Sequence, residues 1–266
     1  MITDTFAGLV NALAARGNIL VMYSGGLDSH VLAMIASRTL GSGACAATLR
    51  SPVIPARDID EAIAGARGLG ITHVIIDVNE LAAADFARND PDRCYRCRKI
   101  RDRVVLNWAE SAGFSTVAEG SNATDLLDYR PGLRASGEDG IWKPFIEFNI
   151  TKEDIRHYAK ENGMTNWHRP ATVCLCSRFP YGTYLDEREI RRVELAEQII
   201  SEMGYSPCRV RSFPHGLALV EVESPEALMT AKGRVAAALR ALGFSFVGID
   251  PEGYVSGKLN RELQNE

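Results

Sequence analysis

Six cysteines occur in the 266 residues, and four of them come as close pairs, Cys94/Cys97 and Cys174/Cys176, while Cys45 and Cys208 stand alone. In a reducing compartment such pairs point to metal, cluster or sulfur chemistry rather than to a disulfide framework. A second chemical signature is Ser24-Gly25-Gly26-Leu27-Asp28-Ser29. Its two glycines allow a tight bend that turns N–H groups toward an anion. The serine hydroxyls can donate to phosphate oxygens, and Asp28 can hold the Mg2+ that accompanies them. The spacing and lysine of a Walker A loop are absent. A plain turn with an Asp/Ser helix cap would need fewer of these residues. The third signature is basic: Arg209 and Arg211 alternate, so they share one face of a strand, with His215 just beyond. Two adjacent guanidiniums suit a phosphate monoester, although a solvated basic edge strand would read the same way.

The phosphate turn follows the apolar run 18–23, about one strand long, and precedes the apolar stripe of a helix from His30 to Leu40. Upstream, residues 4–16 form an amphipathic helix ending at Gly17. Downstream come a strand at Cys45–Leu49, a helix from Arg57 to Leu69 closed by Gly70, and a strand at Thr72–Val78 apolar enough to be buried. This alternation predicts an α/β fold, a parallel sheet with helices on both faces that binds ligands beyond the carboxyl ends of its strands. A polar stretch through Asp90–Lys99 precedes a helix containing Trp108, and a strand at Thr116–Glu119 leads into the rim loop Gly120-Ser121-Asn122. Asp128 and Arg130 lie in a second loop that can shape the nucleotide site, and Thr151 caps a helix running to Asn162.

Beyond it, residues 167–182 show no helical or strand period and hold Cys174, Cys176, His168, Arg169 and Arg178, with aromatic residues that argue for function. A helix from Asp186 to Met203, strands near Cys208–Ser212 and Leu217–Val222, a helix from Ser224 to Leu242 and a last strand at Ser245–Ile249 predict a smaller C-terminal α+β domain. The expected division is 1–166, 167–182 and 183–266. Trp108, Trp142 and Trp167 read as packing residues, Cys45 and Cys208 as core or edge residues, and Glu197 and Glu221 as solvated carboxylates.

Several segments recur together in one order: Ser24–Ser29, Asp92-Arg93-Cys94-Tyr95-x-Cys97, Glu119-Gly120-Ser121-Asn122, Leu127–Gly132, Cys174-Leu175-Cys176-Ser177-Arg178 through Gly182, and Gly253-Tyr254 with Ser256-Gly257. The phosphate turn resembles that of PP-loop ATP pyrophosphatases, and the full set resembles the LarE family of ATP-dependent sulfur transferases over nearly the whole chain. The resemblance implies a pyridinium dicarboxylate mononucleotide as substrate, adenylated by ATP at a carboxylate with release of pyrophosphate. A cysteine thiolate, aligned with Cys174, then attacks, and Cα–Sβ elimination leaves a thiocarboxylate and dehydroalanine. His168, Arg169 and Arg178 supply the cationic neighbourhood a thiolate needs. Cys176 stands where serine is frequent in that branch. A second branch of the family places a [4Fe–4S] cluster on three cysteines, which Cys174 and Cys176 with Cys94 or Cys97 could supply. A zinc tetrathiolate is a further option, though Cys-x-Cys is not its usual spacing. The extra cysteines tilt the balance slightly toward the cluster.

A formal charge of −4 argues against nucleic acid as the main partner. No apolar run approaches a membrane span and the N-terminus lacks a basic region, so a cytoplasmic enzyme is expected, as a homo-oligomer. A tRNA thiolase or an amidating synthetase would share the phosphate turn. The first calls for a nucleic-acid-binding surface and the second for a glutamine amidohydrolase or ammonia channel. A non-catalytic nucleotide sensor or cluster carrier would show no turnover.

Overall fold

The computed structural model of the chain describes residues 4–127, 130–164, 173–255, 258 and 261. Asp128, Tyr129, Trp167, His168, Arg169, Ser256 and Gly257 lie outside the described residues. Two compact units are formed, Met1–Glu80 with Cys94–Thr172, and Leu81–Arg93 with Val173–Glu266.

In the first unit the elements run α1 (Asp4–Arg16), β1 (Ile19–Met22), α2 (Leu27–Leu40), β2 (Ala44–Arg50), α3 (Ala56–Leu69) and β3 (Thr72–Asp77). After the short helix α4 (Ala84–Ala87), which belongs to the second unit, come α5 (Arg93–Ser111), β4 (Val117–Ala118), α6 (Pro131–Glu138), α7 (Pro144–Glu147) and α8 (Lys152–Glu161). The four strands are parallel in the order β3-β2-β1-β4. Side chains alternate across the strands, so Ile19, Val21, Ala44 and Ala46 enter one core with α1, α2, α3 and α8, while Leu20, Cys45 and Ala47 enter another with Val105 and Ala109 of α5. Helices therefore cover both faces, as the α/β pattern predicts. Helix α2 buries Val31, Leu32, Met34 and Ile35, each contributing roughly 1.5–3 kcal/mol.

Chain order leaves β1 with β2 on one side and β4 on the other. The crevice at this reversal lies beyond the ends of β1 and β4, which is where the phosphate turn and the Glu119–Asn122 loop emerge. Strand β3, expected to be buried, is half-exposed because it forms the sheet edge. The loop expected through Lys99 is also shorter than the sequence suggests. Helix α5 already begins at Arg93, so Cys94 and Cys97 ride on its first turns.

The second unit adds α9 (Glu187–Glu202), β5 (Cys208–Phe213), β6 (Leu217–Val222), α10 (Pro225–Thr230), α11 (Lys232–Ala241) and β7 (Phe246–Ile249). Its sheet has the order β5-β6-β7, antiparallel then parallel. The single helix expected over 224–242 is two, broken at Ala231, whose ψ of 8° leaves the helical range. Segment Leu81–Arg93 is stitched to the stretch 179–185: Gly182 N donates to Asn89 O at 3.1 Å and Leu185 N to Ala87 O at 2.7 Å. The fully buried Asn89 adds a bond of 2.8 Å from its amide to Pro180 O and accepts from Arg93 at 2.6 Å. Among the described residues no helix is long and apolar enough to cross a membrane.

Candidate active site

In the first unit, Ser24–Ser29 is folded by its own hydroxyls. Ser29 Oγ donates to Gly26 O at 2.9 Å and accepts from Ser24 N at 3.2 Å, and Ser24 Oγ accepts from Gly26 N at 3.3 Å. Gly25 has φ +74°, and a Cβ there would stand 3.0 Å from the Ala62 backbone of α3, so glycine is required twice over. Gly26 begins α2 without a side-chain cap, which leaves the helix N-terminus and its dipole available to an anion. Across the crevice a Cβ on Gly120 would stand 2.8 Å from Ser29 N, so only glycine lets the β4 loop lie directly on the turn.

That loop brings Asn122 to the turn. Its amide reaches Asp28 at 3.5 Å, while its backbone N–H donates to Asp125, which in turn pairs with Arg130 at 3.0 Å. Ser121 is half-buried beside it. The shortest contact at Asp28 is one that motif reading misses: Lys152 Nζ donates to Asp28 Oδ1 at 2.6 Å. Burial pushes the Asp28 carboxyl up, opposed by the hydrogen bond and charge of Lys152. A carboxylate already facing an ammonium is a position that accepts a cation, so Asp28 fits the magnesium role. The predicted capping box at Thr151 is present, with Asp154 completing it. Lys152 occupies the first helical position, where a cation opposes the helix dipole, and that placement is the sequence signal that sets it apart.

Helix α5 braces the rim from the other face. Arg98 donates to Asp102 at 2.6 Å and to Met22 Sδ at 3.3 Å, and pairs with Glu119 at 2.5 Å, tying the ends of β1 and β4 together. Burial pushes the Asp102 carboxyl up to about 6, against the pull of Arg98. The folded state thus holds this proton more tightly than the unfolded chain, whose carboxyl titrates at ~3.9. Its stabilising contribution is complete below that value and is lost as the pH rises through about 6. Asp102→Asn cannot ionise, so the variant should gain stability relative to wild type over this window and then hold a constant difference. A gap between urea midpoints that is the same across the window would contradict this assignment.

Beside the brace, Cys97 Sγ lies 3.9 Å from the buried Glu80, whose carboxylate also receives Ser51 and Arg101. Cys94 is exposed and Cys176 fully buried. Among the described residues no three His, Cys, Asp or Glu side chains gather as a metal site. Each cysteine pair alone falls short of the three thiolates that a cluster with an open iron requires, and of the four for zinc. Cys45 and Cys208 are buried in their strands, as expected, and burial pushes the Cys45 thiol up to about 11.

In the second unit, Cys174 opens a short 3₁₀ turn, Leu175–Arg178. Arg178 is 1% exposed and organises that turn: it donates to Val173 O and Cys174 O at 3.1 Å each, and to Ser177 Oγ at 2.8 Å. Its remaining nitrogens form a fork on Glu197 at 2.8 and 3.0 Å. Burial opposes the Arg178 charge, but Glu197 outweighs it, with Cys174 and Cys208 adding to the same side, and the net shift is upward. The Arg178 charge is thus coupled to the Cys174 side chain as well as bonded to its carbonyl.

Arg211 donates to Ser177 O and forks onto Glu221 at 2.8 and 3.0 Å. Glu197 and Glu221, expected to be solvated, are therefore structural anions: Glu221 is 1% exposed, and Glu197 also accepts from Val210 N at 3.0 Å. They differ from that expectation because the faces carrying them are packed, and a buried carboxylate persists only when paired. Arg209 has no carboxylate partner among the described residues; it lies over Tyr254 at 5.1 Å and is bonded to Cys208 O at 3.0 Å. Burial, followed by the field of Arg178, lowers its affinity for its proton. His215 sits exposed in the hairpin turn past Phe213, with φ 63°, and forms no hydrogen bond or ion pair with the arginines. Trp108 stacks on Phe114, and Trp142 packs under Arg16, consistent with packing roles.

The family described as NAD synthase matches residues 1–126, the part carrying the phosphate turn and its rim loop. A tRNA-specific 2-thiouridylase of Xanthobacter autotrophicus is 27% identical over 69% of this chain and 56% of its own. An uncharacterized protein of Synechocystis sp. is 37% identical over 92% of both chains. The pyridinium-3,5-bisthiocarboxylic acid mononucleotide synthase of Lactiplantibacillus plantarum is 33% identical over 97% of this chain and 94% of its own. With that synthase matched almost end to end, the chain belongs to the LarE family, PP-loop enzymes that use ATP to transfer sulfur.

Proposed function

We propose that this enzyme adenylates a carboxylate of a pyridinium dicarboxylate mononucleotide and converts it to a thiocarboxylate, the sulfur coming from Cys174. The observation that carries the reading is the Cys174–Arg178 turn, in which a buried guanidinium holds the carbonyls around a half-exposed cysteine. The printed name of the relative from Lactiplantibacillus plantarum supports the substrate class.

In the first step the uncapped start of α2 and the N–H of Gly25 receive ATP phosphates, while Asp28 would hold magnesium, which supplies charge neutralisation to the phosphates. A substrate carboxylate oxygen attacks the α-phosphorus and pyrophosphate leaves, turning a poor electrophile into one with a good leaving group. In the second step the Cys174 thiolate attacks the acyl carbon and expels AMP, giving a thioester. Removal of the Cα proton of Cys174 then sends that electron pair into a Cα=Cβ bond as Cβ–S breaks, releasing the thiocarboxylate. Arg209, which lacks a carboxylate partner among the described residues, is assigned the substrate phosphate, with Arg211 held by Glu221 beside it. No step here passes through a cluster.

The test is the nucleotide product. With substrate present, the enzyme should form AMP and pyrophosphate, and Asp28→Asn should lose this activity while keeping the wild-type melting profile, because a half-buried rim carboxylate adds little to the core. ADP as the main product would rule out cleavage between the α and β phosphates.

A further inference from the structure

Lys152 is placed against its local electrostatics. It holds the first position of α8, where a positive charge opposes the helix dipole, and its backbone is pinned: Lys152 N donates to Thr124 Oγ1 at 3.1 Å, behind a completed capping box. Its side chain spans to Asp28 at 2.6 Å, on the first turn of α2. Neither partner is sealed in, with Lys152 27% and Asp28 26% exposed. Asp125 and Arg130 also act on Asp28 with opposite signs, so the local charge is balanced before any ligand arrives.

A triphosphate and its metal would disturb that balance in a definite way. The carboxylate is the hard oxygen ligand a magnesium ion seeks, and the ammonium is a compact cation on a flexible stem, suited to phosphate oxygens. We propose that Lys152 is an exchangeable counter-ion: it occupies Asp28 in the resting enzyme, and yields that carboxylate to the metal while turning its ammonium onto the pyrophosphate portion of ATP. Resting on the reading of Ser24–Ser29 as a phosphate cradle, this assigns Lys152 to the leaving group, where charge accumulates as the P–O bond breaks. A purely structural ion pair, by contrast, would only tie α8 to α2.

The two roles separate with the variants Lys152→Met and Lys152→Arg and two probes that need no turnover. Mn2+ binding to the nucleotide-free protein, followed by electron paramagnetic resonance, should tighten several-fold in Lys152→Met because a competitor for Asp28 is gone. Inorganic pyrophosphate binding, followed by calorimetry, should weaken about ten- to a hundredfold in Lys152→Met and recover in part in Lys152→Arg. Unchanged or weaker Mn2+ binding together with unchanged pyrophosphate binding would overturn the exchange and leave a structural pair. Failure of the wild-type protein itself to bind pyrophosphate or ATP would instead remove the phosphate cradle, and the exchange with it.

Discussion

Cys174→Ser is expected to keep forming AMP-activated substrate and to lose sulfur transfer by on the order of a thousandfold or more, because a serine hydroxyl is barely ionised at neutral pH and carries no sulfur to give. The wild-type chain should lose about 34 Da, the elements of hydrogen sulfide, in the same experiment as Cys174 becomes dehydroalanine. Intact-mass measurement before and after one turnover reads both outcomes. A wild-type chain of unchanged mass that transfers sulfur repeatedly when sulfide is supplied would replace the sacrificial route with a cluster. Undiminished transfer by Cys174→Ser would remove Cys174 from the chemistry altogether.

The largest expected effect on stability belongs to Arg178→Met. Its guanidinium is almost wholly buried and forked on Glu197, so truncation strands a carboxylate and the carbonyls of Val173 and Cys174 without their donor. Breaking such a pair costs about 3–5 kcal/mol, whereas replacing both members is far milder. Urea unfolding should therefore show a much lower midpoint for Arg178→Met, partly restored in Arg178→Met/Glu197→Gln. A single variant within about 1 kcal/mol of wild type would show that the fork contributes little.

Much of the fold was legible because its signals are local. The glycines and serines of 24–29, the β-branched runs and the Thr151 cap each specify geometry within a few residues, and the structure places them as expected. Where local signals conflicted, the reading failed. The polar stretch Asp90–Lys99 reads as loop, yet the helix starts at Arg93 within it. Strand β3 looks central by composition, but its place at the edge is decided by strand order. The partners of Glu197 and Glu221 were invisible for a similar reason. A carboxylate on an amphipathic element looks solvated until the strand or turn that covers it brings an arginine. Lys152 sits between these cases, since its position was visible and only its distant partner was not.

The turn that presents Cys174 is held through main-chain oxygens, those of Val173, Cys174 and Ser177, gripped by Arg178 and Arg211. Those bonds do not depend on the sulfur. If Cys174 gives up its sulfur as proposed, the spent chain should remain folded and still take up nucleotide. Product yield would then be bounded by the number of polypeptides made rather than by time, and spent copies would compete with new ones for the same substrate. A cell relying on this protein would have to match its synthesis to demand and clear the exhausted chains by degradation.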